Sequence, residues 1–118
     1  MGRSSRRASV PLFCVARSLS VARVNIRPSA EADVDAALAW YHERDPRLVE
    51  RMIAELDYVF ERIASNPGQF PVVAGPIQRA LLHKFPYSVY FVVGGELVAV
   101  VAVLHQRRKS IDWGRRNS

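Results

Sequence analysis

Arg79, His105, Arg107, Arg108 and Lys109, with Trp113 just beyond, are the residues whose types and spacing suit work on an anion. A guanidinium presents a fixed fork of donors that matches phosphate or carboxylate oxygens. Imidazole titrates near neutral pH and can pass a proton. Indole stacks on a base or fills an interface, and Trp40 shares that choice with Trp113. Each also has a plainer role, because arginines solubilise sheet edges or pair with carboxylates and a strand-end histidine packs or hydrogen-bonds locally. His42 falls on the polar side of a helix, while His83 and Lys84 precede a turn and read as solvated. The three histidines lack zinc-ligand spacing, and a single cysteine, Cys14, builds neither an internal disulfide nor a cysteine-ligated metal cluster. No metal or other cofactor is therefore expected.

The C-terminal cations must be held by strands. Apolar runs predict strands at 78–84, 87–93 and 96–104, with Gly94-Gly95 linking the last two as a turn that needs positive φ. The run 97–104 is apolar on both faces, so it is the most buried strand and needs cover on both sides. Tyr87 and Tyr90 point to opposite faces of their strand, so only one of them can share a surface with Arg79. Upstream, Val24-Asn-Ile-Arg27 reads as a short strand ending at Pro28. Ser29 is the expected N-cap of a first helix, with Glu31 and Asp33 in its first turn. Ala30, Val34, Ala37, Leu38 and Tyr41 share one face of that helix. Asp45-Pro46 starts a second helix with an apolar stripe at Val49, Met52, Ile53, Leu56, Val59, Phe60 and Ile63. Tyr41 and Tyr58 read as helix-packing residues. Asn66-Pro67-Gly68 stops the second helix, and the segment to Pro76 reads as a loop. The predicted class is α+β: an N-terminal strand, an αα-hairpin, then a three-stranded antiparallel sheet, in the order β-α-α-β-β-β.

At 118 residues the chain has room for one domain, expected over 24–118. Its longest uncharged apolar run is the eight residues 97–104, far short of the roughly 20 that cross a bilayer, so no membrane partner is expected. The net charge of +6 is unevenly placed. Residues 1–27 hold six arginines and no acid, residues 28–61 hold nine acids against three arginines, and residues 62–118 hold eight basic residues against two acids. The domain thus pairs an acidic helical side with a basic sheet side. Residues 1–23 are rich in Ser and Arg and lack a hydrophobic period. They fit an organelle transit peptide or a basic arm along a phosphate backbone, and most plainly a disordered basic extension or a mis-assigned start.

The tract Glu61-Arg-Ile-Ala-Ser-Asn-Pro67, the strand opening Phe85-Pro-Tyr87-Ser-Val-Tyr90 and the ending Leu104-His105-Gln-Arg107-Arg108 with Trp113 together resemble the RelE/ParE superfamily of bacterial toxins over about residues 24–116. The resemblance implies the cytoplasmic toxin of a type II toxin–antitoxin system, held in a hetero-oligomer by a cognate antitoxin whose helices and extended segment wrap it. It also implies one of two targets. The RelE-like branch cleaves messenger RNA on the ribosome with a lysine and arginine cluster and a C-terminal tyrosine. By that resemblance Arg79 and Arg107 stand at sheet-cation positions, and His105 is the candidate to exchange the proton. Metal-free cleavage needs such a proton-transfer group beside cations that stabilise the phosphorane. Ser88, Leu81 and Trp113, however, occupy positions where that branch carries arginine, a second cation and tyrosine. The departures favour the ParE-like, plasmid-stabilisation branch, which arrests growth by inhibiting DNA gyrase without covalent chemistry of its own. In that branch Arg79, Arg107, Arg108, Lys109 and Trp113 are the expected target-binding residues. The alternatives are a ribosome-dependent endoribonuclease using Arg79, His105 and Arg107, or an inactive relative that only binds antitoxin.

Overall fold

Pro28 sets where the first helix begins. Its ring fixes φ near the helical value, and its missing N–H costs nothing in the first turn. In the computed structural model, which describes residues 24–107, helix α1 (Pro28–Arg44) follows directly on strand β1 (Val24–Ile26). The predicted basic extension and Arg108, Lys109 and Trp113 lie outside the described residues. Ser29, the expected N-cap, sits inside the first turn instead, and its hydroxyl donates to the Val101 carbonyl 2.9 Å away. Helix α2 (Arg47–Ser65) starts as Asp45-Pro46 implies. Asp45 Oδ1 accepts the Arg47 amide at 3.1 Å, and its Oδ2 meets the Arg47 guanidinium at 3.0 Å. Those bonds hold the Asp45 carboxyl below its ordinary pKa.

The apolar stripes bury as their spacing requires. Ala30, Val34, Ala37 and Tyr41 of α1, and Met52, Leu56, Val59, Phe60 and Ile63 of α2, pack on one face of the sheet. Tyr58 departs from its expected packing role. It is 56% exposed, because it turns away from the stripe formed by Leu56, Val59, Phe60 and Ile63.

The sheet corrects the predicted three antiparallel strands. Among the described residues it has five, β2 (Val72–Ala74), β3 (Ile77–Leu81), β4 (Tyr87–Gly94) and β5 (Leu97–His105) joining β1 in the order β1-β5-β4-β3-β2. Strand β1 lies parallel to β5, with Val24 opposite Val98, and the other pairs are antiparallel. The segment read as a loop contains β2, which Gly75-Pro76 turns back onto β3; Gly75 takes φ 53° there. The β4–β5 turn also falls one residue later than expected. Gly94 pairs with Leu97, so Gly95 at φ 62° and Glu96 form the turn, a positive φ being needed only at its first position.

Strand β3 ends three residues early for a specific reason. The carboxylate of Glu55 on α2 accepts the backbone amides of His83 and Lys84, and the chain turns so that the Leu82 amide donates to the Tyr87 carbonyl at 3.0 Å. Strand β5 is buried over most of its length, as its double-sided apolarity predicts. A bulge at Val101, where Tyr90 pairs with Ala102 and Phe91 with Val100, divides its side chains. Val98, Val100 and Val103 join the helix-side core, while Val101, Ala102 and Leu104 cluster with Tyr90 on the other face.

Candidate interaction surface

Register decides which candidate side chains can meet. Arg79 pairs with Tyr90, and Tyr90 with Ala102, so these three share the face away from the helices. Arg79 is half-buried, and its Nε is fully buried with no hydrogen-bond partner among the described residues. Leu81, exposed, and Ser88, 2% exposed, lie on the same face. Ser88 thus occupies a closed position against Leu81 and Leu104, where a solvated cation would not fit.

His105 pairs with Tyr87, three residues from Tyr90 and therefore on the helix-side face. Its ring packs edge-on to Tyr87 at 5.3 Å, and its Nδ1 accepts the Arg107 amide at 3.1 Å. Arg107 is exposed in the turn after β5. The sheet therefore stands between Arg79 and His105, and the arrangement does not gather a cation and a proton-transfer group around one phosphate.

The helix side of the same sheet end carries a surface whose members, Trp40 and His105 among them, the sequence did not bring together. Trp40 is 49% exposed, with the Arg44 guanidinium 3.6 Å above its ring, an i,i+4 pair that helical spacing makes possible. A line of rings runs inward, from Trp40 to Tyr41 at 5.0 Å and from Tyr41 to Tyr87 at 6.3 Å, and His105 ends it. Phe85 buttresses Tyr41 at 5.2 Å. Burial pushes the Tyr41 and Tyr87 phenols above their ordinary pKa, with Tyr41 adding to the effect on Tyr87. Between Trp40, Tyr41, Tyr87 and His105 lies an open groove of about 480 Å³, floored by Ala37 and Val103. The exposed Trp and Arg are the residue types that anchor protein interfaces. Among the described residues no cluster of histidine, cysteine and carboxylate side chains could hold a metal ion, and no helix is long and apolar enough to cross a membrane.

Residues 24–110 match the family described as ParE toxin of type II toxin-antitoxin system, parDE. No curated protein matches the sequence. Among solved structures, a chain of the chromosomal ParDE toxin–antitoxin system from P. aeruginosa is similar in fold. Its TM-score is 0.62 at 17% identity, over 70% of this chain and 92% of that one.

Proposed function

Because the chain belongs to the ParE toxin family, and is thus the toxin of a type II toxin–antitoxin pair with a cognate antitoxin as partner, we propose that it arrests growth by inhibiting DNA gyrase. One observation carries this choice over RNA cleavage: Arg79 and His105 occupy opposite faces of the sheet. Metal-free cleavage needs its acid, base and cations within hydrogen-bond reach of a single phosphate. His105 is already engaged at Nδ1 and packed edge-on against Tyr87. Inhibition by binding needs no such convergence. It needs cations and aromatics spread over a surface, with Arg79 on one face of β3 and Arg107 at the end of β5 as two contacts. Arg108, Lys109 and Trp113 are further target contacts in this reading, and the site of action is the cytoplasm.

The test is parallel pulse labelling with thymidine and methionine in the minutes after induction of the full chain. An early fall in DNA synthesis with translation spared is the expected result. An early fall in translation would overturn the gyrase reading in favour of the ribosome, and no effect on either would favour an inactive relative.

A further inference from the structure

A second groove, about 780 Å³ in volume, lies between α2 and the loop joining β3 to β4, and it falls within the roughly 300–1,000 Å³ of small-ligand sites. Arg51 and Tyr58 line it from α2, His83 and Lys84 from the loop, and Leu48 and Phe85 make it apolar in part. Its one lining carboxylate, Glu55, is engaged by the backbone amides of His83 and Lys84. Among the described residues no hydrogen bond or ion pair engages the side chains of Arg51, His83 or Lys84. Asp45, the acid that feels the charge of Arg51, is paired with Arg47 instead. Tyr58 stands seven residues beyond Arg51, two helical turns or about 10 Å along α2. Its ring is more than half exposed and separates this groove from a smaller one lined by Glu61, Arg62 and Ser65. Glu55 holds the loop midway between them, so cations occupy the stretch from Arg51 to Glu55 and an open aromatic ring closes the far end.

We propose that this groove binds a nucleoside di- or triphosphate, its base stacked on Tyr58 and its phosphates held by Arg51, Lys84 and, when protonated, His83. Adjacent phosphates concentrate several negative charges and so need several cations together, which a guanidinium on one wall and an ammonium on the other provide. A flat base needs one open ring. A peptide carboxylate would use one of these cations and leave the rest unmatched. A nucleic-acid strand would have to leave the groove along α2, where Glu61 comes next and residues 28–61 hold nine acids against three arginines. Like charge therefore confines the ligand to a single nucleotide. Neither Arg79 nor Arg107 lines this groove, and the site neither supports nor needs the gyrase reading.

The test is an ADP titration of the isotopically labelled full chain, with the amide resonances of His83 and Lys84 reporting occupancy. They should shift with a dissociation constant below about 1 mM. Adenosine and pyrophosphate, each carrying one part of the ligand, should bind at least about tenfold more weakly. Tyr58→Ala removes the stacking face without touching the core, and it should weaken ADP by about tenfold. Arg51→Ala should do the same by removing a charged donor. His42→Ala, at an exposed position on α1, should leave ADP binding unchanged. No shift at about 1 mM ADP, or wild-type affinity in both Tyr58→Ala and Arg51→Ala, would overturn the proposal. Pyrophosphate binding as tightly as ADP would reduce the groove to an anion site without a base and overturn it equally. So would a short oligothymidylate that binds more tightly than ADP, since the occupant would then be a nucleic-acid strand.

Discussion

Glu55→Ala isolates the one side chain that fixes the loop between β3 and β4. The wild-type carboxylate, half-buried on α2, accepts the His83 amide and, through both oxygens at 3.1 and 3.0 Å, the Lys84 amide. Hydrogen bonds to a charged group contribute about 1.5–3 kcal/mol each when shielded. His83 and Lys84 are exposed, so water replaces the lost acceptor in part and the cost of truncation falls to about 1–2 kcal/mol in total. For a domain of this size that corresponds to a drop of roughly 5–15 °C in the unfolding midpoint. Glu55→Gln retains one carbonyl acceptor and should lose about half as much. Thermal unfolding followed by circular dichroism gives the midpoint, and amide exchange gives the location. His83 and Lys84 should lose protection in the alanine variant, while the Leu82 amide, bonded to the Tyr87 carbonyl, keeps its own. A variant within about 0.5 kcal/mol of wild type, the range of an ordinary surface substitution, with His83 and Lys84 unchanged, would refute the reasoning.

Gly95→Ala should cost about 1 kcal/mol, because Gly95 sits at φ 62° with open space around a new Cβ and the penalty is purely backbone. Gly94→Ala, outside that φ region, should cost clearly less, and equal losses on denaturant unfolding would contradict the assignment. Phe60→Ala, at a fully buried position, should lose about 3–5 kcal/mol, whereas Tyr58→Ala should stay within about 0.5 kcal/mol. The Asp45 carboxyl titrates lower when folded, so its contribution is present above the ordinary value of 3.8 and is lost as pH falls through the folded value. The midpoint difference between wild type and Asp45→Asn should thus close on acidification from neutral pH, and a constant difference would remove the Arg47 contact as its cause.

The stripe of α2 was legible because seven apolar residues keep a 3.6-residue period and all of them face inward at least in part. The parallel pairing of β1 was not, since its partner lies more than 70 residues away and three residues carry no directional signal. Strand β2 escaped because Pro71, Gly75 and Pro76 surround Val72–Ala74 with turn chemistry, and nothing local marks a strand that short. Glu55 read as one more polar helix residue, its amide partners being 28 and 29 positions further along. At the site, the opposite faces of Tyr87 and Tyr90 follow from their spacing alone. Which of them Arg79 joins depends on the β3–β4 register, and the face of His105 on the β4–β5 register and a bulge, none of which a single sequence displays. Trp40 and Arg44 were recoverable in principle from their i,i+4 spacing, but their exposure depends on where α1 turns its apolar face.

Gyrase inhibition is tested most directly by adding the purified full-length protein to DNA gyrase and relaxed plasmid with ATP, and following supercoiling with and without the antitoxin. Loss of supercoiling that the antitoxin restores, and that is weakened when Arg79 and Arg107 are both replaced by alanine, is the predicted result. Undiminished supercoiling at a large molar excess of correctly folded, antitoxin-binding protein would contradict it.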